Sequence, residues 1–434
     1  MILKEIFRRI TQSDIAKRLA SGAFWSLTGT AFAKFIVLLA GIVCAHILGK
    51  EEYGEFGMVR STINLFVVFG SAGLGMTAAK YISEYRKSQQ AKINKIYAIT
   101  NRFAIISGTI VTGIIILLSP YIAENTLNAP HLTNPLRVGV LLLFITILNG
   151  SQTGCLSGFE DFKSIAINTL IGSVIESILM LLGGYLYGIT GAILGYGCGF
   201  VTIYICNFFS IRKNFEKYQI KINNINITKE EISILYNFTL PAALSSFLVM
   251  PVYWVIRTLL VQKNGFEELA IYEAADQWKT IILFIPSAIS GIVLPILSSM
   301  SNDKKRSFWK VLKCNVLINS GVATVLAIIV VLMSSIIMRA YGDDYNNPTP
   351  LILLALSTIP SSIANVVGVS IASRAKMWVG LIFNLIWATM MILLTYVLLY
   401  HDLGASALAI ATLVAYTIHS LLQYLYLRLY VLID

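Results

Sequence analysis

This sequence predicts an all-α polytopic membrane protein with about twelve transmembrane helices in two six-helix lobes. Three observations predict it. Of 434 residues, 56% are hydrophobic and 13% charged, with mean hydropathy +0.75, whereas a soluble globular chain carries about a quarter charged residues. The apolar residues gather into runs of spanning length, for which roughly 20 residues are needed. The chain also repeats itself at about half its length, as duplicated transporters do.

The runs lie near residues 22–47, 55–79, 98–118, 136–157, 164–186, 189–211, 234–262, 275–299, 311–338, 349–371, 377–400 and 404–427. Before the first, Met1 to Ala20 carries Lys4, Arg8, Arg9, Lys17 and Arg18. This is read as an amphipathic surface tail ahead of a retained span, since a cleaved signal peptide has a shorter apolar core and a small-residue cleavage site. The first run holds Lys34, the second Arg60, the third Arg102 and the fifth Glu176. The seventh holds Arg257, the eighth Lys279, the ninth Lys313 and the twelfth His419. Gly70-Ser71-Ala72-Gly73-Leu74-Gly75 and the glycines from Gly183 to Gly199 permit close helix packing or bending. Pro241, Pro251, Pro286 and Pro295 permit kinks in the seventh and eighth spans.

Basic residues orient the spans. With twelve crossings, the termini and every even-to-odd link share one side, which collects 23 lysines and arginines; the other side has Lys50, Arg137, Lys263 and Arg339. Both termini are therefore expected in the cytoplasm. The net charge of +11 is mostly this rim facing anionic lipid, and it needs no nucleic-acid partner.

The repeat has an offset near 216. Glu51-Glu52-Tyr53-Gly54 follows the first span, and Glu267-Glu268-Leu269-Ala270 follows the seventh, 216 residues later. Pro135-Leu136 and Pro350-Leu351 are 215 apart, and Leu403-Gly404-Ala405 matches Ile189-Thr190-Gly191-Ala192 loosely. Six spans per half keep both copies in one orientation, a parallel repeat about the membrane normal. The expected division is 1–210 for the N-terminal lobe, 211–233 for a cytoplasmic linker and 234–434 for the C-terminal lobe, with the substrate site between the lobes.

Several chemistries have no motif here. Gly49-Lys50 runs into Glu51, so there is no Walker A loop, and neither a zinc-protease motif nor a nucleophile elbow occurs. The five cysteines fall in or beside spans as small apolar packing residues, and the four histidines are scattered, so no metal and no cofactor is expected. Asp343-Asp344 could hold a divalent ion, but its Gly, Asn and Pro neighbours favour a plain turn.

The remaining chemistry is charge at membrane depth, which is costly unless it faces water or a partner. Arg102 and Lys313, at span ends, can snorkel to the interface, and so can Lys279. Arg257 beside Trp254 could be an interfacial anchor, and Lys34 could pair with Glu176. Against these readings, four cations fall in the first two spans of each half and only one carboxylate lies deep. Lys34, Arg60, Arg257 and Lys279 are the expected lining of a positive cavity for an anionic head group such as phosphate or pyrophosphate. Glu176, Asp276 and Glu273 are candidates for ion coupling, the last two at an outer edge where a water-facing helix start would also explain them.

The stretch Ala45-His46-Ile47-Leu48-Gly49-Lys50-Glu51-Glu52-Tyr53-Gly54-Glu55-Phe56 resembles the segment opening the second span of polysaccharide and O-antigen flippases. Similar too are Gly73-Leu74-Gly75 leading to Lys80-Tyr81, Leu156-Ser157-Gly158-Phe159-Glu160, Ala270-Ile271-Tyr272-Glu273 and Arg339-Ala340-Tyr341-Gly342. Membership would imply the multidrug/oligosaccharidyl-lipid/polysaccharide exporter superfamily, with two six-helix lobes forming a MATE-like V around a central cavity. It would also imply a polyprenyl-pyrophosphate-linked oligosaccharide as substrate, turned from the inner to the outer leaflet of the plasma membrane by alternating access for surface polysaccharide or lipopolysaccharide synthesis. On this reading the chain is a transporter rather than an enzyme and a monomer among membrane lipids, with polysaccharide polymerase and glycosyltransferases as candidate partners. Two other functions stand beside it. A multidrug or small-molecule exporter of the same superfamily would need intramembrane carboxylates. A membrane glycosyltransferase or polymerase would need a larger outer loop than Ser119 to Pro135.

Overall fold

The computed structural model describes residues 14–71, 73–86, 89–220, 239, 247–298, 305–373 and 376–431. Residues 1–13 of the tail, 221–233 of the expected linker, Ala72 and Pro241 lie outside the described residues. The elements are α1 (Asp14–Ser71), α2 (Leu74–Tyr85), α3 (Gln90–Tyr121), α4 (Thr133–Gly158), α5 (Phe162–Lys217) and α6 (Val249–Asn264). They continue as α7 (Phe266–Ser298), α8 (Lys305–Leu332), α9 (Ser334–Arg339), α10 (Thr349–Ser373), α11 (Met377–Tyr400) and α12 (Ala405–Tyr426). No strand occurs among the described residues.

Two helices are too long to be single crossings. α1 has 58 residues and α5 has 56; at about 1.5 Å per residue each would exceed twice the ~30 Å hydrocarbon thickness. Each is broken by a glycine that side chains would strain. α1 breaks at Gly49 (φ 78°, ψ 172°), and α5 at Tyr187-Gly188, with Gly188 at φ 57°, ψ −145°. The halves of α5 fold back on each other so closely that a Cβ on Gly195 would strike the Leu179 backbone, and one on Gly183 the carbonyl of Gly191. The glycine run is therefore a packing seam, the small-residue contact that lets membrane helices approach. Counting α1 and α5 twice, and α2 as the end of the second crossing, the described residues make twelve crossings.

Eight of the described helices are long and apolar enough to span, including the two double ones. α6 and α7 are the other two crossings. α6 has 16 described residues, and α7 carries Glu267, Glu268, Glu273, Asp276 and Lys279. Elsewhere large apolar side chains face outward, among them Leu117, Leu317, Leu332 and Trp378. So much exposed apolar surface would be a liability in water and suits lipid.

The duplication is visible in backbone angles. Gly265, between α6 and α7, has φ 83°, ψ 178°, close to Gly49 216 residues earlier. Gly404, before α12, has φ 51°, ψ −134°, close to Gly188 at the same offset. This corrects the sequence register, which matched Gly404 with Gly191. Glu52 lies beside Gly188 and Glu268 beside Gly404, again at one offset. In the second lobe, the Glu268 carboxylate accepts the Ala405 N–H at 2.7 Å and so caps α12. The second acid of the pair that marked the repeat thus braces the last hairpin of that lobe.

The lobes meet most closely where the second and eighth crossings face each other. A Cβ on Gly54 would strike the Phe266 carbonyl, and one on Gly57 would lie 2.6 Å from Glu273 Cγ. Gly54 and Ala270, and Gly57 and Glu273, are repeat mates, so the pseudo-two-fold axis passes between them. Around it, Gln277 donates to the Tyr53 hydroxyl at 2.5 Å, Trp254 to Thr62 at 3.0 Å, and His46 to the Ala340 carbonyl at 2.9 Å. Tyr53, Tyr272 and Tyr341 are fully buried there. Nearer the opposite end, Phe69 stacks on Phe247 and the Thr77 and Thr239 hydroxyls lie 2.8 Å apart. The second crossing is interrupted just there: α1 stops at Ser71 and α2 starts at Leu74, with Gly73 left-handed at φ 70°.

Candidate functional site

A cavity of about 620 Å³ lies between the lobes, walled by the first, second, fifth and sixth crossings on one side and the seventh and eighth on the other. The sequence expected a site here, and Lys34, Arg60, Glu176, Arg257, Glu273, Asp276 and Lys279 all line this cavity. Lys34 and Arg60 lie on α1 on either side of the Gly49 break. Glu273, Asp276 and Lys279, spaced by three on α7, share one helical face.

What the sequence did not foresee is how these groups pair. Glu273 takes Arg60 on one oxygen at 2.7 Å and Arg257 on the other at 2.5 Å. Arg257 reaches Asp276 at 3.0 Å, and Asp276 meets Lys279 at 2.5 Å. The result is one chain, Arg60–Glu273–Arg257–Asp276–Lys279, whose first link crosses between lobes. Aromatic faces complete it: Tyr253 lies under both Arg257 and Lys279, and Tyr272 under Arg257.

Several expectations are corrected. Glu273 and Asp276 are not at a water-facing helix start; Glu273 is 3% exposed, because α7 begins at Phe266 and places both acids two to three turns inside it. Arg257 and Lys279 are buried and ion-paired, so neither is an interfacial anchor or a snorkelling cation. Lys34 and Glu176 share the cavity without pairing. Among the described residues neither forms an ion pair, and the Lys34 ammonium lies 5.9 Å from the Phe284 ring centre. Four cations therefore face three carboxylates rather than one, and the cavity's positive excess is smaller than the sequence implied. Arg102 and Lys313, as expected of span-end cations, are exposed. His419 donates to the Phe383 carbonyl at 3.1 Å, an interior histidine satisfied by backbone. Asp343 and Asp344 are exposed beside Gly342, and among the described residues no group of His, Cys, Asp and Glu could hold a metal ion.

Sequence reading missed Gly57, whose lack of a side chain admits Glu273 to the interface, and Tyr253, which supports two cations. The repeat offset was a usable signal for the first, since it pairs Gly57 with Glu273. Nothing in sequence marked Tyr253, one of 21 tyrosines.

Fold and site together define a multi-pass helical membrane protein with a charged chamber between duplicated lobes. The chain belongs to the polysaccharide biosynthesis protein family, whose model matches residues 19–301. It is 22% identical over 289 residues to the lipid III flippase of Escherichia coli (strain K12), covering 66% of this chain and 68% of that one. It is 23% identical over 206 residues to the EPS I polysaccharide export inner membrane protein EpsE of Ralstonia nicotianae, covering 46% and 47%. A multidrug resistance MATE family transporter of the MOP superfamily, solved in an inward-facing conformation, superposes with TM-score 0.78 at 14% identity, over 92% of this chain and 94% of that one. That likeness bears on the fold alone.

Proposed function

We propose that this protein is a flippase that moves polyprenyl-pyrophosphate-linked oligosaccharide units across the plasma membrane by alternating access, for surface polysaccharide synthesis. Family membership and the names of its relatives support the substrate class. The observation that carries the mechanism is Lys34: an ammonium in the chamber between lobes with no carboxylate partner among the described residues. An uncompensated cation at membrane depth is unfavourable until an anion arrives. A pyrophosphate docking on Lys34 then competes with Glu273 for Arg60 and Arg257, because an arginine fork binds phosphate and carboxylate alike. Displacing the Arg60–Glu273 link weakens the contact that holds the second crossing against the eighth, so head-group binding and lobe separation are coupled. The distribution of basic residues supports cytoplasmic termini. The polymerase and glycosyltransferases acting on the same lipid-linked unit are the expected partners.

Lys34→Ala is expected to abolish surface-polysaccharide export while the protein reaches the membrane at wild-type level, and Lys34→Arg to retain it. Arg257→Ala should also abolish export. Full export by both alanine variants removes the cation mechanism.

Export of cationic small molecules is a second reading, favoured by three carboxylates in the chamber. Resistance to cationic dyes on expression, without any glycan phenotype, would establish it in place of the first.

A further inference from the structure

A second cavity, of about 650 Å³, lies wholly within the N-terminal lobe on the side of the charged chamber away from the Gly49 turn. The two share Thr169 and Phe200 as common wall, so they adjoin. Its polar lining is Ser71, Thr146, Asn149, Thr153, Ser157 and Thr169, with no charged residue among those that line it. Phe200 adds the one aromatic face among them.

The hydrogen bonds of this wall are incomplete. Thr146 spends its proton on the Leu142 carbonyl, and Thr153 accepts from Asn207 at 3.4 Å. Ser71, Ser157 and Thr169 make no side-chain hydrogen bond among the described residues. Asn149 is 6% exposed and gives its amide N–H to the Phe200 carbonyl at 2.9 Å, while its Oδ1 has no partner. A buried acceptor left unpaired is costly. The floor is open as well: a Cβ on Gly150 would meet only Ser71 Cβ, at 3.9 Å.

Three occupants can be weighed. A phosphate would find no countercharge here and would lose its hydration. A lipid tail would bury the hydroxyls and Asn149 Oδ1 against hydrocarbon. A neutral polyhydroxyl ligand meets hydroxyls that donate and accept, an unpaired amide oxygen and an aromatic face, the few placed polar groups on a partly apolar wall that orient a ligand. The volume lies within the ~300–1,000 Å³ common to small-molecule sites.

We propose that this cavity is a glycan subsite: it holds the neutral sugars of the substrate while the adjoining cations hold its pyrophosphate, an inference that rests on the flippase reading above. Recognition of the sugar then belongs to the N-terminal lobe alone and travels with it when the lobes separate.

The test uses the full-length protein in cells lacking their own copy of the gene, read as surface glycan, together with inorganic pyrophosphate binding by the purified protein. Ser71→Ala/Thr146→Val/Ser157→Ala removes three hydroxyls, none of them lining the charged chamber, and is expected to lower export about tenfold, a few weak hydrogen bonds' worth. Pyrophosphate affinity should stay within about twofold. Gly150→Leu fills the floor of the cavity beside Ser71 and should also lower export with pyrophosphate affinity unchanged. Lys34→Ala, by contrast, should lower both. Export by the triple variant within about twofold of wild type would mean that the cavity holds only water, and the proposal fails. A parallel loss of pyrophosphate binding in both cavity variants also overturns it, since the change would then be to the chamber as a whole. If the unaltered protein restores no glycan export, the flippase reading itself has failed, an outcome separate from either of these.

Discussion

In the C-terminal lobe, Arg257, Glu273, Asp276 and Lys279 stand on neighbouring helices and neutralise one another, two cations against two carboxylates. In the N-terminal lobe, Lys34, Arg60 and Glu176 line the same chamber, yet none pairs with another, and among the described residues Arg60 is paired only across the gap, with Glu273. The two lobes share their turns, down to the angles of Gly49 with Gly265 and Gly188 with Gly404. Their division of labour therefore lies in side chains rather than in fold. One lobe is an electrostatically finished scaffold, and the other offers unsatisfied groups to a ligand.

That contrast is most severely tested at Glu273, which is buried between two arginines. Glu273→Ala strands Arg60 and leaves Arg257 with Asp276 alone, and breaking a buried pair in this way costs about 3–5 kcal/mol. A large fall in the thermal unfolding temperature of the purified protein, or its loss from the membrane, is expected. Unchanged stability would show the cluster to be hydrated and loosely held.

Next in size are the repeat glycines. Gly188→Ala forces a side chain into a backbone region open almost only to glycine, at about 1–3 kcal/mol. Gly404→Ala carries the same strain and also drives a Cβ into the Glu268 carboxylate that caps α12. It should be the more destabilising of the two in a denaturation series. Equal effects would mean that the cap contributes nothing.

Lys34→Ala reverses the pattern. Because the ammonium has no partner among the described residues, stability should change by no more than about 0.5 kcal/mol, while export is lost. A large destabilisation would make Lys34 structural and erase the difference between the lobes. Smallest of all, Arg102→Ala and Lys313→Ala, at exposed positions outside the chamber, should leave both stability and export as they were.

Much of this was legible in the sequence because hydrophobic run length and basic links are local properties. The spans followed from them, and so did the expectation that Lys34, Arg60, Arg257 and Lys279 line the cavity. The pairing did not. Glu267 and Glu268 look like a polar link, so the eighth span was set to begin at residue 275, with Glu273 just before it and Asp276 at its outer edge. In fact the link is Gly265 alone, and α7 runs from Phe266. A single glycine with φ 83° reverses the chain where a loop was expected. The glycan subsite was hidden for another reason. Its hydroxyls come from three different crossings, the second, fourth and fifth, and no single window of sequence holds all of them.

The approach of Gly57 to Glu273 has a further consequence. These two positions face each other across the axis that relates the halves, so in an assembly of two identical six-helix chains they would have to be the same residue. Two glutamates there would repel and two glycines would leave Arg60 without its acid. Halves that have diverged in sequence can place an acid on one side and an empty space on the other, and that divergence is thus what allowed this bridge to exist.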